Sequence, residues 1–263
     1  MKYYVVDAFT DELFKGNQAG VCLLDGWLDD ALMQNIAFEN NLSETAFVVK
    51  RAGHYDLRWF TPALEVDLCG HATLASAYVI FNFVEHGVSE VRFETRSGSL
   101  VVKKAGDLLE MDFPSRMPSP EVLTGEMCKA IGAPALEAHL SRDLVLLLEN
   151  EQQVRELTPD FELIKRLGYF SVVVTAKGDE VDFVSRFFIP GAGINEDPVT
   201  GSAHCSLIPF WAGRLGKSTM VARQLSARGG TLYCENVNGQ RVKIAGHAVL
   251  YLRGEIVAGN LYL

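Results

Sequence analysis

Apolar positions along this chain change their period repeatedly, and each change marks an element. Tyr3–Phe9 and Val21–Leu24 are strand-like apolar runs, and Lys15-Gly16-Asn17-Gln18-Ala19-Gly20 between them reads as a tight loop. From Leu28 to Glu39 the spacing becomes helical: Leu28, Leu32 and Ile36 share one stripe, with Met33 and Ala37 beside it. Asp29 and Asp30 suit the first turn, and Asn40-Asn41 can supply a left-handed end. Leu42-Ser43-Glu44-Thr45 then reads as a loop feeding the strand Ala46–Lys50, with Tyr55–Phe60 as its alternating hairpin partner. The stretch Trp59–Leu68 runs into Cys69-Gly70-His71-Ala72-Thr73, and a helix-like apolar run follows over Leu74–Phe81. Strands are predicted next at 91–95, 100–104 and 108–113. The second half predicts a helix near 121–131, a strand at 143–148, a helix at 159–167, strands at 171–176 and 181–189, a helix from Ala203, and a strand meander to the end.

The pattern repeats. Pro62 and Pro190 are 128 positions apart, as are Cys69 and Asp197, and Thr95–Leu100 aligns with Ala227–Leu232 at an offset of 132. This reads as one unit used twice, giving two similar lobes with a cleft between equivalent elements. The expected lobes are 1–117 and 118–263, joined through the proline-rich stretch 114–120, with the tail from Ala248 crossing back to the first lobe. Both motifs end where a helix begins after small residues, and such an end leaves outward N–H groups for an anion. A small acid held between two such ends is the ligand this implies.

Composition narrows the classes. A chain of 263 residues with 48% hydrophobic and 22% charged residues is an ordinary globular protein, and a net charge of -9 without a basic run argues against nucleic acid. Five cysteines without CxxC spacing point to free thiols in a reducing compartment, and no apolar stretch reaches membrane length. A cytoplasmic protein without a membrane partner is expected. The six histidines lack HExxH or other metal-ligand spacing, so no metal is expected. Gly213–Ser218 ends like a phosphate loop but has Trp211 where the first glycine belongs, and Gly191-Ala192-Gly193 lacks a third glycine.

Several residues could carry chemistry, each beside a plainer reading. Glu44 among apolar neighbours suits a general acid and base, or it is a solvated turn glutamate. Cys69 at a helix start could be a thiolate, or a small buried residue. A pair of opposed thiols, as in cofactor-free racemases, is doubtful because the position 128 residues on is Asp197. His71, just before the first helix, could bind a carboxylate or relay a proton, or it structures its loop. Asp197 resembles a helix N-cap but could also orient His71 or accept a substrate amine; Gly201 and Ser202 could present donors to an acid. Asn17 could bind a ligand or form its turn.

Together the motifs Gly16-Asn17-Gln18-Ala19-Gly20-Val21, Asn41–Phe47, Phe60-Thr61-Pro62 to Thr73, and Asn195–Ala203 resemble the PhzF-like (phenazine biosynthesis) family, which shares the diaminopimelate epimerase fold. The resemblance implies an α+β protein of two pseudo-symmetric lobes, each a curved, mostly antiparallel sheet or barrel around a central helix. It implies Glu44 as the acid/base of a cofactor-independent isomerisation, with His71 and Asp197 lining the pocket and Gly70, Gly201 and Ser202 near the substrate acid. Family habit suggests a homodimer. Gln18 stands where the family usually has proline. The expected function is an isomerase or epimerase moving a proton on a small, amino-acid-like carboxylic acid. The alternatives are a non-catalytic small-acid-binding protein on the same fold and a Cys69 thiol hydrolase.

Overall fold

The computed structural model describes residues 1–257. The last six positions of the expected C-terminal tail, 258–263, lie outside the described residues. Two compact units are present: Met1–Asp112 together with the residues from Ala245 on, and Phe113–Ile244.

The first unit runs β1 (Lys2–Ala8), β2 (Asn17–Leu24), α1 (Asp30–Asn40), β3 (Glu44–Lys50), β4 (Tyr55–Phe60), β5 (Glu65–Val66), α2 (Gly70–Val79), β6 (Glu90–Thr95), β7 (Gly98–Ala105) and β8 (Leu108–Pro114). The second runs β9 (Ser119–Glu121), α3 (Gly125–Ile131), β10 (Glu137–Leu140), β11 (Leu144–Leu147), α4 (Glu151–Glu156), α5 (Phe161–Arg166), β12 (Val172–Lys177), β13 (Phe183–Phe188), β14 (Glu196–Asp197), α6 (Gly201–Leu215), β15 (Thr219–Gln224), β16 (Gly230–Val237) and β17 (Arg241–Gly246). The last described strand, β18 (Ala248–Glu255), pairs antiparallel with β1.

The α+β class is as expected, and the pairings show the duplication directly. In the first unit β2 runs parallel to β3, β3 antiparallel to β4, β4 parallel to β6, and β6 antiparallel to β7. In the second, β11 with β12, β12 with β13, β13 with β15, and β15 with β16 repeat that sequence of directions. Each parallel step needs a crossover, which α1 and α2 supply in one unit and α4–α5 and α6 in the other. The sheets are open, not closed barrels.

The two long crossovers are central helices. Eight of the ten residues of α2 are buried, and so are all but four of the fifteen in α6. A helix covered all round needs its polar side chains satisfied internally. Thr73 and Ser76 therefore donate to the carbonyls of Cys69 and Ala72, one turn back. Pro209, inside α6, has no N–H for the Cys205 carbonyl. The Arg116 N–H supplies that bond instead, at 2.9 Å.

Several boundaries differ from the sequence reading. Asn17 belongs to β2, paired with Ala8, and not to a loop. Gly16 closes the loop of residues 9–16 at φ +65°, where a β-carbon would lie 2.2 Å from the Ala8 carbonyl oxygen. Glu44 likewise opens β3, in register with Ala19. Both central helices start earlier than their apolar runs suggest, because glycines 70 and 201 carry no apolar signal. His71 is therefore inside α2 and not before it. The strand β10 and the short helix α4 are absent from the reading altogether.

Candidate active site

Three short elements of the first unit meet at one point. Asn17 opens β2, Glu44 opens β3 two strand positions away, and Cys69-Gly70-His71 forms the first turn of α2. Because Ala19 and Glu44 are parallel partners, the beginnings of β2 and β3 lie side by side, at the end where α2 starts. His71 Nε2 is 3.0 Å from Glu44 Oε2, with side-chain exposures of 7% and 18%. The Asn17 amide donates to His71 Nδ1 at 3.2 Å, and Cys69 Sγ is 3.5 Å from the same nitrogen. The ring is thus gripped on both edges, and Glu44 is the member that solvent or a small solute reaches.

Burial works against a charged His71, but the Cys69 sulfur and the Glu44 carboxylate outweigh it and hold the ring's pKa well above its ordinary value. Burial, with Glu44 adding to it, pushes the Cys69 thiol up to about 11, against the opposing pull of His71. These two shifts compete, since a thiolate can hold the ring charged only if the sulfur has lost its proton. At neutral pH the sulfur keeps that proton, and Glu44 remains as the partner that favours the imidazolium. The Asn17 carboxamide fits either ring state: its Nδ2 faces a bare Nδ1, and turned over its Oδ1 would face Nδ1–H.

The residues Asp197, Gly201 and Ser202 form a cluster of their own in the second unit. The N-cap of α6 is Thr200, so Asp197 does not cap the helix as expected. Asp197 Oδ2 instead accepts from the Thr200 hydroxyl at 2.5 Å, and its carbonyl accepts from Gln224 Nε2 at 2.7 Å. The Gln224 side-chain oxygen takes the Thr200 N–H at 2.9 Å. The N-cap residue Thr200 makes no side-chain cap bond into α6, whose first residue is Gly201. Ser202 Oγ accepts from Arg142 at 3.0 Å, and Arg142 forks onto Asp143 at 2.9 and 3.0 Å. Arg142, Thr200 and Gln224 escaped the sequence reading. An arginine beside an aspartate and a glutamine ending a strand have no local signature.

The equal spacing of Cys69 and Asp197 also needs correcting. The link from β4 to β5 is Thr61–Leu64, whereas Ile189–Asn195 joins β13 to β14, three residues more. The residue in the position of Cys69 is therefore Thr200, again not a cysteine. Among the described residues one group brings three possible ligand types together, Glu44 with Cys69 and His71, with one atom of each within 4.8 Å of the others, although the Cys69 sulfur lies nearer His71 Nδ1 than the Nε2 that faces Glu44. Histidine spacing could not foretell this grouping, because its members come from two elements. No helix among the described residues is long and apolar enough to cross a membrane.

Comparison with known proteins identifies first the fold and then the family. A probable proline racemase from Agrobacterium radiobacter superposes with a TM-score of 0.65 over 99% of this chain and 94% of its own, at 9% identity, which shows a shared fold alone. The architecture is that of the diaminopimelate epimerase-like proteins. A family described as phenazine biosynthesis-like protein matches residues 6–254. An uncharacterized isomerase of Pseudomonas aeruginosa is 51% identical over 257 residues, 97% of this chain and 98% of its own. A crystal structure of a PhzF-family protein from Enterococcus faecalis gives a TM-score of 0.95 at 51% identity, covering 97% and 98% of the two chains. The chain belongs to the PhzF-like, phenazine biosynthesis-like family, and the isomerase class expected from its sequence agrees with its relatives' names.

Proposed function

We propose that this protein is a cofactor-independent isomerase that moves a proton on a small, amino-acid-like carboxylic acid, with Glu44 as the general acid and base. The observation that carries this reading is the pairing of a partly exposed Glu44 carboxylate with a buried imidazole 3.0 Å behind it. A carboxylate so placed can take a proton from a carbon acid at its open side, while His71 fixes its orientation from the closed side. His71 also offers a proton-bearing nitrogen to the carboxylate, so charge change at Glu44 is met within the pair. Cys69 is the weaker candidate base, because its thiol is held up near 11. The start of α6, into which Thr200 makes no side-chain cap bond, supports Gly201 and Ser202 as holders of an acid group, and Asp197 as an acceptor for an amine.

Incubating candidate acids with the enzyme in heavy water, and following deuterium entering carbon, tests the assignment. A positioned acid/base contributes roughly 10²–10⁴ in rate, so Glu44→Gln should lose that much exchange while remaining folded. Equal exchange by wild type and variant removes Glu44 from the mechanism. Tight binding of a small acid with no exchange by wild type would favour the non-catalytic binding protein instead.

A further inference from the structure

We propose that two copies of this chain join along the outer edge of β18, pairing antiparallel about a two-fold axis at Gly254. Among the described residues the ladder of β18 has one partner, β1, and its other edge is open. The hydrogen bonds show what that edge offers. The Met1 amino group donates to the Ile256 carbonyl at 2.9 Å, and the Ile256 N–H donates to the Met1 carbonyl at 3.0 Å. Ile256 therefore turns its backbone groups toward β1. Alternation along the strand turns those of Gly254 the same way, and those of Arg253 and Glu255 outward. Outward N–H and carbonyl groups are a template for a further strand.

The side chains select a second copy as that strand. In a two-fold pairing centred on Gly254, Arg253 of each chain stands opposite Glu255 of the other. These are the residues whose backbone groups point outward, so the charge pairs fall at hydrogen-bonded positions of the new ladder. Gly254 meets its own counterpart at a non-hydrogen-bonded position, where Cα atoms approach to about 4.5 Å. On that same face Leu252 stands opposite Ile256. Neither Arg253 nor Glu255 has an ion-pair partner among the described residues. Arg253 lies over the rings of Tyr4 and Phe83, 6.0 and 5.5 Å from their centres, which fixes the face it presents. Edge charges of one sign keep strands apart. Opposite signs two residues apart, with glycine between them, attract a copy of the same strand. Beside this seam the exposed side chains of Phe14 and Tyr251, in edge contact at 5.7 Å, add apolar area. A two-fold contact closes on itself, so the product is a dimer and not a filament.

Sedimentation equilibrium of the full chain is the test, and wild type should run as a dimer. Arg253→Glu and Glu255→Arg each set like charges opposite one another and should weaken the dimer by at least about tenfold. The chain with both substitutions restores every pair and should dimerise as wild type does. Gly254→Cys places a β-carbon whose nearest neighbour is Leu252 Cδ2, at 3.7 Å. Under oxidation it should give a disulfide-linked dimer that wild type, treated alike, does not. Circular dichroism separates a lost seam from a lost fold, and where a charge variant does not fold the cross-link decides. A monomeric wild type overturns the proposal. So does a dimer unmoved by both single reversals, one that the double reversal fails to restore, or a folded Gly254→Cys that does not cross-link.

Discussion

The two copies of the repeat keep the same frame and fill it with different chemistry. Arg58 and Arg186 lie in equivalent strands, two residues before the Phe60 and Phe188 that end them, and each does the same two things. Each forks onto a glutamate of the following short strand, Glu65 at 2.7 Å and Glu196 at 2.8 Å. Each also lies over its own phenylalanine, 5.2 and 5.1 Å from the ring centre. At the helix starts the likeness stops. The pairing registers put Thr45 opposite Phe60 and Val172 opposite Phe188, so Ser171 occupies the place of Glu44. Counting from the first residues of α2 and α6, Ser202 takes the place of His71, and Thr200 that of Cys69. A carboxylate, an imidazole and a thiol in one copy have become three hydroxyls in the other. Hydroxyls make and accept hydrogen bonds but do not exchange protons near neutral pH. Under the proposed function, the comparison teaches that one copy is equipped to move a proton and the other to hold polar groups still.

The largest break in that comparison should come from the two equivalent positions 44 and 171. Glu44→Gln should cost roughly 10²–10⁴ in solvent exchange. Ser171→Ala should instead act on stability, since the Ser171 hydroxyl donates to the buried carboxylate of Asp143 at 2.5 Å. Measuring exchange and denaturant midpoint for both variants checks the division of labour. Comparable losses of exchange per folded molecule would mean that both copies handle protons.

The shared arginines separate next. Arg186 is 12% exposed in its side chain and donates also to the carbonyls of Val154 and Leu157. Arg186→Ala leaves Glu196 unpaired and two carbonyls short of a donor, and should destabilise by about 3–5 kcal/mol. Arg58 is more open and has a second, exposed partner in Asp30, so Arg58→Ala should cost about 1.5–3 kcal/mol. Urea midpoints rank them; a larger loss for Arg58→Ala contradicts the ordering.

A third contrast lies in the histidines of the two central helices. His71 has a carboxylate beside it, whereas His204 is fully buried, gives Nδ1–H to the Thr200 carbonyl at 2.8 Å, and has its pKa lowered to about 4 by burial. Its folded pKa lies below its unfolded value of about 6.5. The unfolded chain therefore takes up a proton first as pH falls, and stability drops between about pH 6.5 and 4. The full drop is about 3 kcal/mol for a shift of that size. His204→Asn keeps a donor for the Thr200 carbonyl and should flatten that part of the stability profile. An acid limb as steep in the variant as in wild type would assign the loss to other groups.

How much of this was legible depends on how far each feature depends on neighbours in sequence. The strands β3, β4 and β12 and the cap at Asn41 announce themselves through alternation and a left-handed asparagine. Glu44, Cys69 and His71 were legible as candidates because their motifs are local. Their assembly was not, since it depends on the register that sets Glu44 beside Ala19 and on α2 starting at a glycine. The buried α6 was partly legible, but not the three extra residues before it, which moved its N-cap from Asp197 to Thr200. Arg142 and Gln224 gave no signal, because what matters about them is the backbone and hydroxyl groups they meet from distant strands.

The smallest expected effect concerns Cys69, and it bears on which proton mechanism the first copy supports. A two-base mechanism with opposed thiols requires a second cysteine in the corresponding place, and that residue is Thr200. It also requires a sulfur that ionises readily, whereas burial pushes Cys69 up to about 11. A neutral thiol 3.5 Å from His71 Nδ1 fills space beside the ring and adds little to proton transfer. Cys69→Ala should therefore hold exchange within about tenfold of wild type, or about 1.4 kcal/mol in the barrier. A loss of exchange as deep as that of Glu44→Gln would make the thiol a proton carrier and return the molecule to thiol-based chemistry.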